Sequence, residues 1–364
     1  TLVPGIGTKV NGQTNWLSLG GPFQLQPSEF AKYALILWIA QVLSSRSDRV
    51  DSWRTLLLPI APVSGVFLFL ILAEGDLGTC LVIMPIITGM LLVGGAPKKL
   101  FGWIGISAVA VVLLMSIAAP YRLARFSSWL DPGAAADGAG YQVIHGQYAL
   151  ATGGWWGVGL GASREKWGFL PEAQTDFIFS VIGEELGLVG TLSILGLFVA
   201  LAVVIFHIAQ RTDDLFVRLA TTGFGVWIVA QAIINIGTVL GLLPVTGLPL
   251  PLVSYGGSSL MFTLMAIGTL LAFARTQPAA REFLLERSNA KKSADARRTR
   301  RRPTRRPRSS ERNEQRRSPK ATGKIDLTDP PSAKSRAVPR SSGAAGRTNR
   351  TAGKTRRSRS GDRQ

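Results

Sequence analysis

LPEAQTDFIFSVIGEELGLVGTLSILGLFVALAVVIFH, residues 170–207, places Asp176, Glu184 and Glu185 at the head of an apolar run over 185–207. A run of about 20 predominantly apolar residues is long enough to cross a bilayer as a helix, so the stretch predicts a membrane span with acids at one end. Carboxylates at such a depth are costly and usually have a function.

Reading outward, further apolar runs occur at 30–44, 56–73, 77–95, 101–119, 219–240 and 258–274. With 185–207 they make about seven candidate spans and an all-α polytopic membrane protein. Arg46, Arg49, Arg54, Lys98, Lys99, Arg211 and Arg218, with the tail after Arg275, all fall on one side, which the positive-inside rule makes cytoplasmic. The other side holds the turn at Glu74–Asp76, a long loop from Pro120 to about Glu184, and the connection Gly241–Gly257. Trp16, Trp129, Trp155, Trp156 and Trp167 also lie there, as expected for rings at headgroup level.

The net charge of +19 is misleading, because 28 of the 41 Lys and Arg lie from residue 275 onward and the rest of the chain is nearly neutral. The chain is expected to divide into a membrane domain, 1–276, and a basic tail, 277–364. From 288 the tail has almost no large apolar residue and cannot offset chain entropy by burial, so disorder is expected. Its RRTRRRPTRRPR run at Arg297–Arg308, tethered beside a membrane, suits anionic lipid better than nucleic acid. Cys80 is the only cysteine, so no intramolecular disulfide or thiolate metal site is available. His145 and His207 are expected on opposite faces of the membrane. The chain begins at Thr1 with neither an initiator methionine nor a signal peptide, and is expected to be a fragment whose first spans are missing.

The outer loop carries Arg122, Arg125, Arg164 and Lys166 on the side where few cations are expected. Two readings stand: an anion site, for which Arg forks suit phosphate oxygens, or snorkelling to lipid headgroups. Asp176, just before FIFSV, is either a helix N-cap or a catalytic carboxylate. A helix starting there aligns Asp176, Ser180 and Glu184 on one face.

A second candidate site is LLPVTGLPLPLVSYGGSSL, residues 242–260. Its prolines prevent a regular helix, and irregular backbone at membrane depth is tolerated where it lines a cavity or is covered by protein. Ser254 and Ser258 belong to it. Gln231 and Asn235, in the span before, either line the same cavity or bond between helices. Glu29 and Lys32, spaced i, i+3, form either a structural ion pair or a substrate contact. Asp76 caps a helix or orients cations.

Together, QPSEFAK at Gln26–Lys32, GDLGT at Gly75–Thr79, YRLARFSSWLDP at Tyr121–Pro132, GYQ at Gly140–Gln142, TDFIFSVIGEELG at Thr175–Gly187 and LPVTGLPLPLVSYGGSS at Leu243–Ser259 resemble the SEDS family (shape, elongation, division and sporulation). The resemblance runs in order from about Lys9 to Arg275 and leaves out the tail. It implies a ten-span, all-helical glycosyltransferase that polymerises lipid II into peptidoglycan strands at the outer face of the plasma membrane. The aspartate of the TDF motif, Asp176 here, is essential in that family. One departure is Asn15 before Trp16, where the family usually has Arg.

The resemblance gives the candidates roles. Asp176 is the expected general base; Arg122, Arg125 and Lys166 would bind the departing diphosphate; Glu184, Gln231, Asn235, Ser254 and Ser258 are expected to contact substrate. A divalent cation, Mg or Mn, is left open, since adjacent Glu184 and Glu185 point in different directions and at most one joins Asp176. The NGQTNW spacing and the long basic tail look division-type (FtsW-like) rather than elongation-type (RodA-like). A class B penicillin-binding protein and other division proteins are the expected partners. The rivals are a flippase for the same lipid and a scaffold acting through the tail.

Overall fold

The computed structural model describes residues 1, 7–10, 13–18, 24–46, 53–118, 127–131, 133 and 140–300. They belong to the first of two units, Thr1–Arg300 and Arg301–Gln364.

Helices stand where each of the seven apolar runs was read: α1 Pro27–Ser44, α2 Trp53–Ala73, α3 Leu77–Val93, α4 Lys98–Ala118, then, beyond the outer loop's own α5 Tyr141–Gly153, α6 Ile178–Gln210, α7 Leu215–Val239 and α8 Gly257–Thr276. Among the described residues, α6, α7 and α8 are long and apolar enough to cross a membrane, while α2 and α3 offer shorter apolar stretches. α1 starts with proline in its first turn, where the missing N–H is no loss. Asp214 caps α7, accepting from Phe216 N at 2.8 Å and Val217 N at 3.2 Å. Pro59, Pro62 and Pro85 sit inside α2 and α3, as bilayer helices tolerate when neighbours re-satisfy the backbone.

α7 is the central post. It packs on α1, α3 and α6, and Leu219, Phe224, Trp227 and Ile228 are buried against Leu35, Ile36, Ile83 and Met90. Lipid tails are as apolar as these side chains, so close packing rather than water exclusion must hold the helices together. Gly223 shows how close: a Cβ there would lie 2.7 Å from Ile36 Cγ2 and 2.8 Å from Met90 Sδ. By contrast, the second part of α6 turns Leu192, Leu197, Val203 and Phe206 outward, as a lipid-facing helix does.

Two features depart from the sequence reading. A three-stranded antiparallel sheet, β1 Gly7–Val10, β2 Gln13–Ser18 and β3 Gln24–Leu25, precedes α1, pairing Thr8 with Trp16 and Leu17 with Leu25. The fold is therefore mainly rather than wholly helical. A further helix, α9 Pro278–Arg300, also runs past residue 288 into the part of the tail expected to be disordered. Its first part, with Phe283 and Leu285, still has apolar residues, and its many Lys, Arg, Ala and Glu residues favour helix.

Candidate functional site around Asp176

Asp176 lies in the turn between Leu170 and α6, whose buried Leu170, Ala173 and Phe177 seal it onto the core. α6 begins at Ile178 with Phe177 at the cap position and no side-chain cap bond. This differs from the N-cap reading of Asp176. The Phe177 ring packs so tightly on α5 that a Cβ on Gly146 would lie 2.9 Å from it, and anchoring that ring moves the helix start one residue past the acid.

The Pro/Gly-rich connection between α7 and α8 closes over this turn. Ser254 Oγ donates to the Thr175 carbonyl at 2.6 Å and accepts from Leu250 N at 2.6 Å. Tyr255 N donates to the Gln174 carbonyl at 2.9 Å. Asn235 Nδ2 donates to the carbonyls of both Asp176 and Leu248, each at 2.7 Å. Gly247, at φ +75°, comes so near that a Cβ on it would lie 3.6 Å from Asp176 Oδ2. These bonds satisfy an irregular backbone that lacks a ladder of its own.

Behind the connection is a buried charged cluster. Lys32 Nζ donates to Glu29 Oε1 at 2.8 Å and to Gln231 Oε1 at 3.0 Å, and lies 4.8 Å from the Trp227 ring centre. Gln231 Oε1 also accepts from Trp227 Nε1 at 2.9 Å, while its Nε2 donates to the Pro249 carbonyl at 2.9 Å. Glu29 is 1 % and Lys32 0 % exposed, so neither charge meets solvent. Asp76 caps α3, accepting from Thr79 N at 2.8 Å and Thr79 Oγ1 at 2.6 Å, and from Gln26 Nε2 at 3.0 Å. Beside it, burial raises the Glu74 carboxyl above its ordinary range.

The loop before α6 is bound to the start of that helix. Glu184 is buried and accepts from Ser163 Oγ at 2.5 Å and Arg164 N at 2.9 Å. Lys166 pairs with Glu185, and His145 Nδ1 meets Glu165 Oε2 at 2.7 Å. At Gly187, φ 67° and ψ −161° break the helix. There Val158 N reaches the Glu184 carbonyl at 2.9 Å and Leu188 N the Gly154 carbonyl at 2.8 Å. The break thus exchanges intrahelical bonds for bonds to the loop.

The candidates therefore separate. Asp176, Asn235, Ser254 and, through Pro249, Gln231 surround one turn. Glu184, Glu185 and Lys166 form another cluster at the loop base, and Ser258 is buried at the start of α8 without a hydrogen-bond partner for its hydroxyl. Arg122 and Arg125 lie outside the described residues. Among the described residues no three His, Cys, Asp or Glu gather as metal ligands. The sequence reading did not single out Trp227, Gly247 or Ser163. Trp227 stands four residues before Gln231, a spacing that could have suggested the pair.

A family model for FTSW_RODA_SPOVE, described as cell cycle protein, matches residues 1–278. The chain belongs to the FtsW/RodA/SpoVE family. Among its relatives within the family, "Probable peptidoglycan glycosyltransferase FtsW" of Mycobacterium tuberculosis is 43 % identical over 283 residues, covering 77 % of this chain and 53 % of the relative. The chain thus spans about half the length of the mycobacterial relatives it matches. Stage V sporulation protein E of Bacillus subtilis is 40 % identical over 274 residues, covering 75 % of each. Solved structures agree with the fold. A chain of a peptidoglycan synthase complex that coordinates polymerisation and crosslinking has a TM-score of 0.58 at 33 % identity, covering 75 % of this chain and 76 % of that one. The rod shape determining protein RodA of Thermus thermophilus has a TM-score of 0.52 at 30 % identity, covering 75 % and 73 %. Membership of the FtsW/RodA/SpoVE family makes this a membrane protein and accounts for the order of its motifs.

Proposed function

We propose that this protein is a peptidoglycan glycosyltransferase that polymerises lipid II during septal wall synthesis, with Asp176 as its general base. The observation that carries the proposal is the Asp176 carboxylate facing Gly247 where the Pro/Gly-rich connection closes on the turn before α6, in a chain whose relatives bear a glycosyltransferase name. Asp176 takes the proton from the 4-hydroxyl of the lipid-linked acceptor sugar as that oxygen attacks the anomeric carbon of the growing strand. The bond to the polyprenyl diphosphate breaks, and the diphosphate leaves with its electron pair. Positioned base catalysis of this kind contributes about 10²–10⁴-fold.

The leaving group is already stable as an anion, so binding it matters more than protonating it. Arg122 and Arg125 are assigned to this task. Lys166, now paired with Glu185, joins them through its remaining N–H donors. Direct attack inverts the anomeric centre. The side carrying Asp176 faces outward, seven spans lie in this chain, and the tail from 277 lies in the cytoplasm against anionic lipid rather than nucleic acid. A class B penicillin-binding protein supplies the crosslinking partner, and other division proteins join the pair. The synthase complex among the similar structures supports such a pairing.

The test is polymer formation from labelled lipid II by the full chain with its transpeptidase partner. Asp176→Asn should abolish polymer while leaving melting and partner binding intact. Normal polymerisation by that variant sinks the base assignment, and lipid translocation without polymer by the wild type would favour a flippase.

A further inference from the structure

Gln231 and Asn235 are one helical turn apart on α7, and both reach the same connection. Their amide orientations follow from their partners. Gln231 meets a Lys32 ammonium and a Trp227 indole N–H on one side, and both groups can only donate. Its oxygen must therefore face them, leaving the NH₂ for the Pro249 carbonyl at 2.9 Å. Asn235 meets two carbonyls, those of Asp176 and Leu248, so only its nitrogen, with two hydrogens, fits both. Both donors of that NH₂ are accounted for.

We infer that Gln231 and Asn235 are positioning residues, which hold the Leu248–Pro249 backbone against the Asp176 turn while Lys32 fixes the direction of the Gln231 amide. This role rests on the polymerase reading above, and it reassigns two residues first read as substrate contacts. Asn235 bridges two segments separated by 59 and 13 residues from it, and Gln231 fixes the second of those segments one residue further on. Gly247, immediately before Leu248, stands close to the Asp176 carboxylate, its Cβ position lying 3.6 Å from Oδ2. Displacing Leu248 and Pro249 therefore displaces the wall that faces the carboxylate. Neither residue needs to touch substrate. The Glu29–Lys32 pair acquires a task as well: without the Lys32 donor, the Gln231 amide loses half of what keeps its oxygen away from Pro249.

The experiment uses the full chain with its transpeptidase partner and two variants. Asn235→Ala removes the bridge. Gln231→Glu is isosteric and keeps acceptors for Lys32 and Trp227, but turns an oxygen towards the Pro249 carbonyl, so it loses one rung without leaving a cavity. Each is expected to lower kcat for lipid II polymerisation by about 10- to 100-fold with KM within about 2-fold, the signature of a misplaced reacting group. In the same samples, amide hydrogen exchange at 172–177 and 248–255 should quicken about 10-fold or more, while α3 stays protected.

A fall in kcat without faster exchange overturns the inference, because the side chain then acts on substrate. So does faster exchange at unchanged kcat, or a loss expressed as a raised KM alone. A wild type that makes no polymer overturns the polymerase reading and, with it, the catalytic part of this one. The exchange comparison by itself still confirms or overturns the clamp.

Discussion

Gly247 lies against Asp176: the position its Cβ would take is 3.6 Å from Asp176 Oδ2, and its φ is +75°. The left-handed backbone and the absence of a side chain beside the carboxylate are thus supplied by one residue. An alanine there meets a backbone penalty of about 1–2 kcal/mol, and a valine adds two methyl groups beside the carboxylate that the proposed mechanism has an acceptor hydroxyl approach. Gly247→Ala is expected to lower melting by a few degrees and reduce polymerisation, and Gly247→Val to abolish polymerisation. Lipid II turnover measured beside thermal unfolding checks both, and full activity in the valine variant would place the reacting oxygen elsewhere.

The break at Gly187 gives a sharper structural expectation. A Cβ at this residue would sit 2.4 Å from Gly157 N and 2.6 Å from the Trp155 carbonyl, backbone atoms that cannot swing aside. Its φ of 67° and ψ of −161° is a conformation essentially reserved for glycine. Gly187→Ala should therefore detach the loop from α6 at a cost of about 2–4 kcal/mol. Limited proteolysis between 154 and 170 should accelerate, whereas Gly196→Ala, with nothing within 4 Å of its Cβ position, should leave the digestion pattern unchanged.

The helices were legible because a bilayer demands long apolar runs, and those runs were there to be read. Their ends were less so. The run at 185–207 continues upstream to Ile178, because the chain crosses Gly187 by borrowing hydrogen bonds from residues 154–158, which hydropathy cannot register. The small sheet was missed although Asn11–Gly12, a hairpin dipeptide, separates its first two strands in the sequence. Asp176 stood out from its motif, and Asn235 from its polarity in an apolar span. That the two meet could not be read, since the pairing depends on how α7 and the connection fold together. Nor could sequence decide the engagement of Lys166, whose carboxylate partner lies 19 residues away.

That engagement is itself testable. Lys166 and Glu185 are each partly exposed, so their pairing is worth at most about 1 kcal/mol and Lys166→Met should scarcely change melting. If Lys166 also serves the diphosphate, KM for lipid II should rise several-fold in that variant. Glu184 behaves differently, being buried with two donors aimed at it. Removing it leaves the buried Ser163 Oγ short of an acceptor, at about 1–3 kcal/mol, and releases Arg164 N from its carboxylate. Glu184→Ala should loosen the loop towards protease, and Glu184→Gln, which keeps one acceptor oxygen, should fall between it and the wild type.

The buried pair at Glu29 and Lys32 separates stability from positioning. Removing one partner of a fully buried pair leaves an uncompensated charge and typically costs about 3–5 kcal/mol. Lys32→Met should therefore lower the melting temperature substantially. In the double variant Glu29→Leu/Lys32→Met no charge is stranded, and most of that stability should return. Polymerisation should not return with it, because Gln231 Oε1 still lacks the donor 3.0 Å away that directs its amide at Pro249. Measured by melting in detergent and by lipid II turnover, recovery of both properties would make the pair purely structural. Recovery of stability without turnover assigns Lys32 to the arrangement that presents Asp176.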